Sequence, residues 1–508
     1  MTESLPLDGE SLSLEQFLAV VRGGCGVSLT PEARTRIASS RRSVERAVQA
    51  GRSIYGVTTG FGSLADRAIP AAEARTLQLS LVRSHASGTG PALPPDVVRG
   101  LLLLRLNSLA CGHSGVRLEV VEALVELLNR QLVPFVPEQG SVGASGDLAP
   151  LAHLALALIG EGAFVGRDGA VRPAREVLAE AGVAPIVLHE KEGVALVNGT
   201  SLMATYLALA VEDARGLLAA AEIAAAVAFD ALRGNPVALD DRLGELRRSA
   251  EQRNEARILR TLLQGSGLAL SGSQAVGQDP YTLRCLPQVF ASVRLALGFA
   301  EGIVTHELNA VTDNPVVFEG DEFVNGGNFH GQSLALALDT LGLAVQYLAG
   351  FSERRIARLV HPALNRGLPP FLAPNAGVSS GFMIPQYLAA ALVNENQTLV
   401  HPASAASLPT SADQEDFVSM GPWAGAKLRR ILANTQKVVA VEWMVAAQGL
   451  ELRRPTPGGA GSEAALRAIR EFVAPWSTDR SPAAEIEATA LRIADGSLVR
   501  RVRSEVPF

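Results

Sequence analysis

The 508-residue chain is poor in cysteine, with only Cys25, Cys111 and Cys285, all far apart. Neither a disulfide framework nor a zinc knuckle can be drawn from them, and a reducing cytoplasm is the compartment expected. An excess of positive charge is also missing. The net charge of −6 argues against a general affinity for nucleic acid. The Arg-rich stretches at 245–260 and 352–358 alternate with acids and read as solvated helix faces. The opening Met-Thr-Glu-Ser-Leu-Pro lacks the basic region and apolar core of a signal peptide. Glu222, Asp339 and Glu442 interrupt the longest apolar stretches, so no membrane span is expected. Aromatic residues are scarce, at 5%, which leaves alanine and leucine to build the core.

What is present is helical spacing. Leu118, Val121, Leu124, Val125, Leu128 and Leu132 step by one, three or four residues and share one face until Pro134 stops the run. Similar Ala/Leu-rich stretches at 202–232, 288–308, 333–351 and 425–451 predict a mainly α fold of long helices packed in a central bundle. Several are apolar nearly all round, which calls for packing partners on every side. The Gly/Ser-rich connection 264–280 is long enough to suggest a functional loop. The stretch 455–462 reads as a plain linker, and no internal repeat is visible.

The most informative segment is Gly140-Ser-Val-Gly-Ala-Ser-Gly-Asp-Leu-Ala-Pro150. Attack of the Gly146 nitrogen on the Ala144 carbonyl, with loss of two waters, would make a methylidene-imidazolone ring, an electrophile that accepts amines. Gly143 and Gly146 permit the tight approach because neither carries a Cβ, and Ser145 supplies the hydroxyl lost in the second dehydration. Asp147 sits where an N-cap belongs, ahead of an apolar helix from Leu151 to Ile159. The ring would then lie at a positive helix end. Taken alone, Gly-Ala-Ser-Gly-Asp is equally a capped turn.

In its eleven-residue context the segment resembles the signature of the aromatic amino acid ammonia-lyases and aminomutases, which form this ring from Ala-Ser-Gly. Further blocks resemble the same family, in order, from about residue 50 to about 450. Tyr55 opens Tyr-Gly-Val-Thr-Thr-Gly-Phe-Gly, otherwise a turn with a packed tyrosine. The resemblance makes it a mobile lid whose Tyr55 takes the β-proton as phenolate. Asn198, in Leu196-Val-Asn-Gly-Thr-Ser201, becomes a ring and substrate contact instead of a tie between loops. In Gln278-Asp-Pro-Tyr-Thr-Leu-Arg284, Tyr281 and Arg284 share a helix face. The resemblance assigns Arg284 to the substrate carboxylate, and Gln278 and Tyr281 to the surroundings of the ring. Asn309 to Pro315 and Gly326 to Gln332 are also family-like, and Phe329 would pack beside the electrophile. His306 and His330 lack metal-ligand spacing, so no metal is required.

Two positions speak to the substrate. Ser84-His85 matches the histidine branch at the pair that contacts the substrate ring, where other branches carry His-Leu or Phe-Leu. Glu415 stands where phenylalanine and tyrosine lyases tend to carry Gln. A carboxylate suits an imidazole N–H and offers a benzene ring only a desolvation cost. The implied activity is non-oxidative deamination of L-histidine to urocanate and ammonia, with no external cofactor, in a homotetramer with shared active sites. Thr58, Gly331-Gln332, Asp413 and Phe417 depart from the usual histidine-branch text. A histidine 2,3-aminomutase or a tyrosine or phenylalanine lyase is therefore the alternative. A non-catalytic helical scaffold would have lost Ser145, Tyr55 or Arg284. Residues 1–508 are expected to form a single lyase fold, with the ring loop and lid in 1–200 and the long-helix core in 201–508.

Overall fold

The computed structural model describes residues 4–269 and 278–508, and helices dominate them. Part of the 264–280 loop, residues 270–277, lies outside the described residues. The long helices fall where apolar spacing put them, at Leu118–Asn129, Ser201–Ala231, Leu286–Glu307, Gln332–Val360 and Gly421–Glu451. Strands are confined to short two- and three-stranded ladders.

The chain forms two compact units. The first comprises residues through Leu209, Glu301–Asp339 and Pro402–Ala426; the second comprises Ala210–Ala300, Thr340–His401 and Lys427–Phe508. In the first, the helix Pro95–Ala110 is buried from Val97 to its end, polar residues included. Helix Ala149–Leu158 buries eight of its ten residues, and Pro150 in its first turn lacks only an N–H that no helical carbonyl would have received.

The second unit carries charge inside. Arg355 and Glu442 are both fully buried, joined by Arg355 Nη2 and Glu442 Oε2 at 2.8 Å. The reading of 352–358 as a solvated face is therefore corrected: Arg354 is exposed, but Arg355 points inward to its carboxylate. Glu222 and Glu255 are likewise buried and share Arg294, whose guanidinium lies 2.8 Å from Glu222. Burial and the neighbouring Glu255 raise the Glu222 carboxyl well above the usual carboxylate range. Removing one member of such a cluster leaves a buried charge unpaired, at a cost of about 3–5 kcal/mol.

Two helices, Leu286–Glu307 and Gln332–Val360, are after all long and apolar enough to cross a membrane by length and composition. Arg294 on one pairs with buried carboxylates and Arg355 on the other is itself fully buried with its partner, so each helix turns a charged group into the packed interior of its unit. The stretch 455–462 is also more than a linker. Gly459 N–H donates to the buried Asp230 Oδ2 at 2.8 Å, and a Cβ on Gly459 or Gly461 would overlap Leu262 or Leu263.

Candidate active site

The Ala144-Ser145-Gly146 tripeptide sits in a cradle that requires glycine at 143 and 146. Gly143 and Gly146 have φ of +80° and +82°, and Ser145 itself is held at +48°, a region costly for a residue with a Cβ. A Cβ on Gly146 would overlap the Gly199 carbonyl, and one on Gly143 would overlap Ser419 Oγ. Gly199 N–H donates to Ser145 O at 3.1 Å and Asp147 N–H donates to Gly199 O at 2.7 Å, which ties the tripeptide's far side to the 198–200 segment. Among the described residues nothing accepts from the Gly146 N–H. The nitrogen that must attack Ala144 is thus free while its neighbours are pinned, so these residues fit the methylidene-imidazolone.

Asp147 corrects one expectation. It does not cap the helix beginning at Ala149; Leu148, at φ +48°, occupies that N-cap position with no side-chain cap. The Asp147 carboxylate instead accepts from Leu202 N–H at 2.5 Å and Met203 N–H at 3.3 Å, capping the long helix Ser201–Ala231. Burial pushes its carboxyl up to about 7, against the pull of those two amides and of Arg105. The tripeptide is therefore tied to the N-termini of two helices, which favours negative charge there.

Behind the 198–200 segment lies a polar frame that the sequence reading missed. Arg105, fully buried, donates to the Asn198 carbonyl. The Asn198 side chain donates to Asn314 O at 2.8 Å, and Thr200 N–H donates to Thr312 Oγ1 at 3.3 Å. Lys191 and Asp313 form a fully buried ion pair at 2.7 Å beside them. Burial lowers the Arg105 and Lys191 values, and Asp313 opposes both shifts. One signal was available: an arginine in the midst of Leu101-Leu-Leu-Leu-Arg-Leu106 has no reason to be there unless something inside needs it. Thr312, Asp313 and Asn314 lie in the family-like block Asn309–Pro315, but nothing in the sequence paired Asp313 with Lys191.

A cavity of about 640 Å³ opens onto Ser145, and Tyr55, His85, Asn198 and Glu415 line it with Phe61. The Tyr55 hydroxyl accepts from Gly62 N–H at 3.0 Å, and its ring meets Phe61 edge-on at 6.3 Å, so the glycine-rich segment folds back on its own tyrosine. His85 Nδ1 lies 2.9 Å from the Leu81 carbonyl. A carbonyl only accepts, so Nδ1 carries the proton and Nε2 is left as an acceptor. Burial lowers the His85 value, opposed by the Leu81 carbonyl and by Glu415. Glu415 Oε2 accepts from Thr410 Oγ1 at 2.9 Å, and Oε1 takes only a long contact of 3.4 Å from Ser145 Oγ. The turn that delivers Glu415 holds Ser411, Ala412 and Asp413 all at positive φ, strain typical of a functional loop.

Four expected site residues do not line this cavity. Phe329, half-buried, is not among its walls; its neighbour His330 stacks on Phe417 with ring centroids 6.2 Å apart. Gln278 and Arg284 line a different pocket, in the second unit, with Asn235 and Asp279. Tyr281 is 67% exposed, with the Arg284 guanidinium 4.7 Å from its ring centre. Their shared face is as expected. No cluster of three or more metal-ligating side chains occurs among the described residues.

A family model for aromatic amino acid lyase matches residues 12–471. A histidine ammonia-lyase of Symbiobacterium thermophilum is 50% identical, covering 98% of each chain. Among solved structures, histidine ammonia-lyase from Trypanosoma cruzi matches with a TM-score of 0.91 and 39% identity, covering 99% of this chain and 96% of that one. Tyrosine aminomutase from Streptomyces globisporus matches with a TM-score of 0.94 and 36% identity, covering 100% and 99%.

Proposed function

This chain belongs to the aromatic amino acid lyase family, and from that premise we propose that it is a carbon–nitrogen lyase converting L-histidine to urocanate and ammonia. The observation that carries the reading is the convergence of Ser145, Tyr55, His85 and Glu415 on one cavity. The methylidene-imidazolone formed from Ala144-Ser145-Gly146 supplies an electrophilic carbon for the substrate amine.

The chain's own residues do the rest. Glu415 Oε1 accepts an imidazole N–H, and His85 Nε2 offers a second acceptor on the wall. Tyr55 removes the β-proton as phenolate, with the Gly62 N–H aimed at the oxygen that carries the negative charge before the transfer. Asn198, fixed through Asn314, orients the amine. Arg284 grips the carboxylate, with Gln278 and Tyr281 beside it and Phe329 keeping the site dry.

Because Gln278, Tyr281, Arg284 and Phe329 do not line the cavity, the reading requires a homotetramer in which neighbouring subunits complete each site. Exposed apolar side chains on two of the long helices, among them Leu295, Phe299, Leu336, Leu343 and Tyr347, support that assembly. The three cysteines are free thiols, which supports a cytoplasmic setting. A second reading, an aminomutase, is favoured by the fit to the tyrosine aminomutase fold, beside Thr58 and Gly331-Gln332, which resemble the tyrosine and phenylalanine branch. Incubation with L-histidine, L-tyrosine and L-phenylalanine, following urocanate absorbance and chromatographing for β-amino acids, tests both. Urocanate alone supports the lyase; β-histidine or a preference for tyrosine refutes it.

A further inference from the structure

The proposed carboxylate anchor, Arg284, stands on a single helical turn that leads through Cys285 into the long helix Leu286–Glu307. Tyr281–Arg284 is one turn, and its start is an uncapped Pro280. The long helix and the buried Leu283 hold the turn's far end, and the residue before the proline holds its start. Asp279, 8% exposed, accepts from Asn235 N–H at 2.6 Å through Oδ2 and from Arg366 Nη2 at 2.5 Å through Oδ1. Both carboxylate oxygens are thus engaged.

Arg366 is itself firmly placed. It adopts φ +58° and donates through Nη1 to the Leu232 carbonyl at 2.9 Å and to the Arg233 carbonyl. Arg453 adds donors to Ala231 O at 2.8 Å and to Arg366 O at 3.1 Å. Two guanidinium groups therefore cap the carbonyl end of helix Ser201–Ala231, where positive charge is favoured. Asp279 hooks the Tyr281–Arg284 turn onto that capped end. Arg284 meanwhile keeps donor capacity in hand: its guanidinium rests on Tyr281, and its Nε is buried with no partner.

We propose that the ion pair between buried Asp279 and the more exposed Arg366 is a positioning device for Arg284, setting where the substrate carboxylate is gripped. The inference rests on the assignment of Arg284 to that carboxylate and extends it to two residues that touch no substrate. A positioning role makes a selective demand: a ligand with a carboxylate must feel the loss of the pair and one without it must not.

The test measures KM and kcat for L-histidine, and inhibition constants for imidazolepropionate and for histamine, which lacks the carboxylate. Asp279→Asn keeps size and loses charge; Arg366→Lys keeps charge and loses the fork, and serves should the first variant fold poorly. In both, KM and the imidazolepropionate constant are expected to weaken by about tenfold, with histamine changed by less than about twofold and kcat nearly held. Equal weakening of both inhibitors, or of neither, overturns the proposal. Arg284→Ala separates the underlying assignment: if it fails to weaken imidazolepropionate relative to histamine, the carboxylate reading falls and the positioning role falls with it. Should the wild type prefer tyrosine, coumarate and tyramine replace the two inhibitors and the same contrast decides.

Discussion

Glu415→Gln is the substitution that reads substrate identity most directly. In the structure Oε2 is committed to Thr410 Oγ1 at 2.9 Å, whereas Oε1 receives only Ser145 Oγ at 3.4 Å. Under the proposed ring formation that serine hydroxyl is eliminated, which would leave Oε1 facing the cavity unengaged. Glutamine can keep the Thr410 bond with its carbonyl, and then presents NH2 where an imidazole N–H must be accepted. A charge-assisted hydrogen bond of this kind contributes about 1.5–3 kcal/mol, which corresponds to a loss of about one to two powers of ten in kcat/KM for histidine. Phenylalanine, with no N–H to place, should be used no worse. Urocanate absorbance gives the rates, and the melting temperature with the intact mass of the active-site peptide confirms fold and ring. Unchanged histidine kinetics in a correctly folded, dehydrated Glu415→Gln enzyme would show that the carboxylate does not recognise the imidazole.

The remaining predictions concern the electrophile, the pH limb and the assembly. Mass spectrometry of the wild-type active-site peptide should show loss of two waters; Ser145→Ala should retain them and nearly all turnover should vanish, while full activity in that variant would refute the ring. Gly146→Ala should also block dehydration, since its Cβ would overlap Gly199 O at a φ of +82°, and a dehydrated Gly146→Ala peptide would contradict the cradle. His85, its value lowered by burial, should stay neutral to a pH below the ordinary histidine value. The stability gained by burying it neutral is present above the unfolded value and is lost as pH falls through that value toward the folded one. Any acid limb in kcat/KM that disappears in His85→Ala should accordingly have its midpoint under about 6.5, and a midpoint above that would contradict the lowering by burial. Mixed Tyr55→Phe and Arg284→Ala subunits should regain part of the activity each lacks alone, and light scattering should find a tetramer; a stable, active monomer would refute shared sites.

The fold was legible where chemistry repeats along the chain. Leu118–Asn129 buries Val121, Leu124 and Leu128 as their spacing foretold, and the Ala/Leu-rich runs became the long helices within a few residues at most ends, Gln332–Val360 alone running well past its predicted end. Of the site, the part carried by contiguous motifs was legible too: Tyr55, His85, Ser145, Asn198 and Glu415 come from separate blocks and line one cavity. What escaped was long-range pairing. Nothing near Lys191 in the sequence announces Asp313, and the charge pattern at 352–358 gives no hint that Arg355 turns inward to Glu442. Asp147 was misread for a related reason: its place before an apolar run fits a local cap, and only the folded chain brings the amides of Leu202 and Met203 within reach.

The misreading of Asp147 explains how a backbone reaction can be confined to one tripeptide. A local cap would have held Asp147 to its own helix and left the preceding residues to relax as an ordinary turn. Capping the Ser201–Ala231 helix instead draws Asp147 toward Gly199, whose carbonyl receives the Asp147 N–H and whose N–H reaches Ser145 O. The segment is then held on both sides of Gly146 while Gly146 N–H has no acceptor among the described residues. Arg105, behind the segment, fixes the Asn198 carbonyl in a fully buried setting. Leaving an N–H unpaired and holding Ser145 at positive φ each carry a cost of about 1–3 kcal/mol. The proposed cyclisation would remove the unpaired N–H, and with it a cost that the packing around Gly146 imposes.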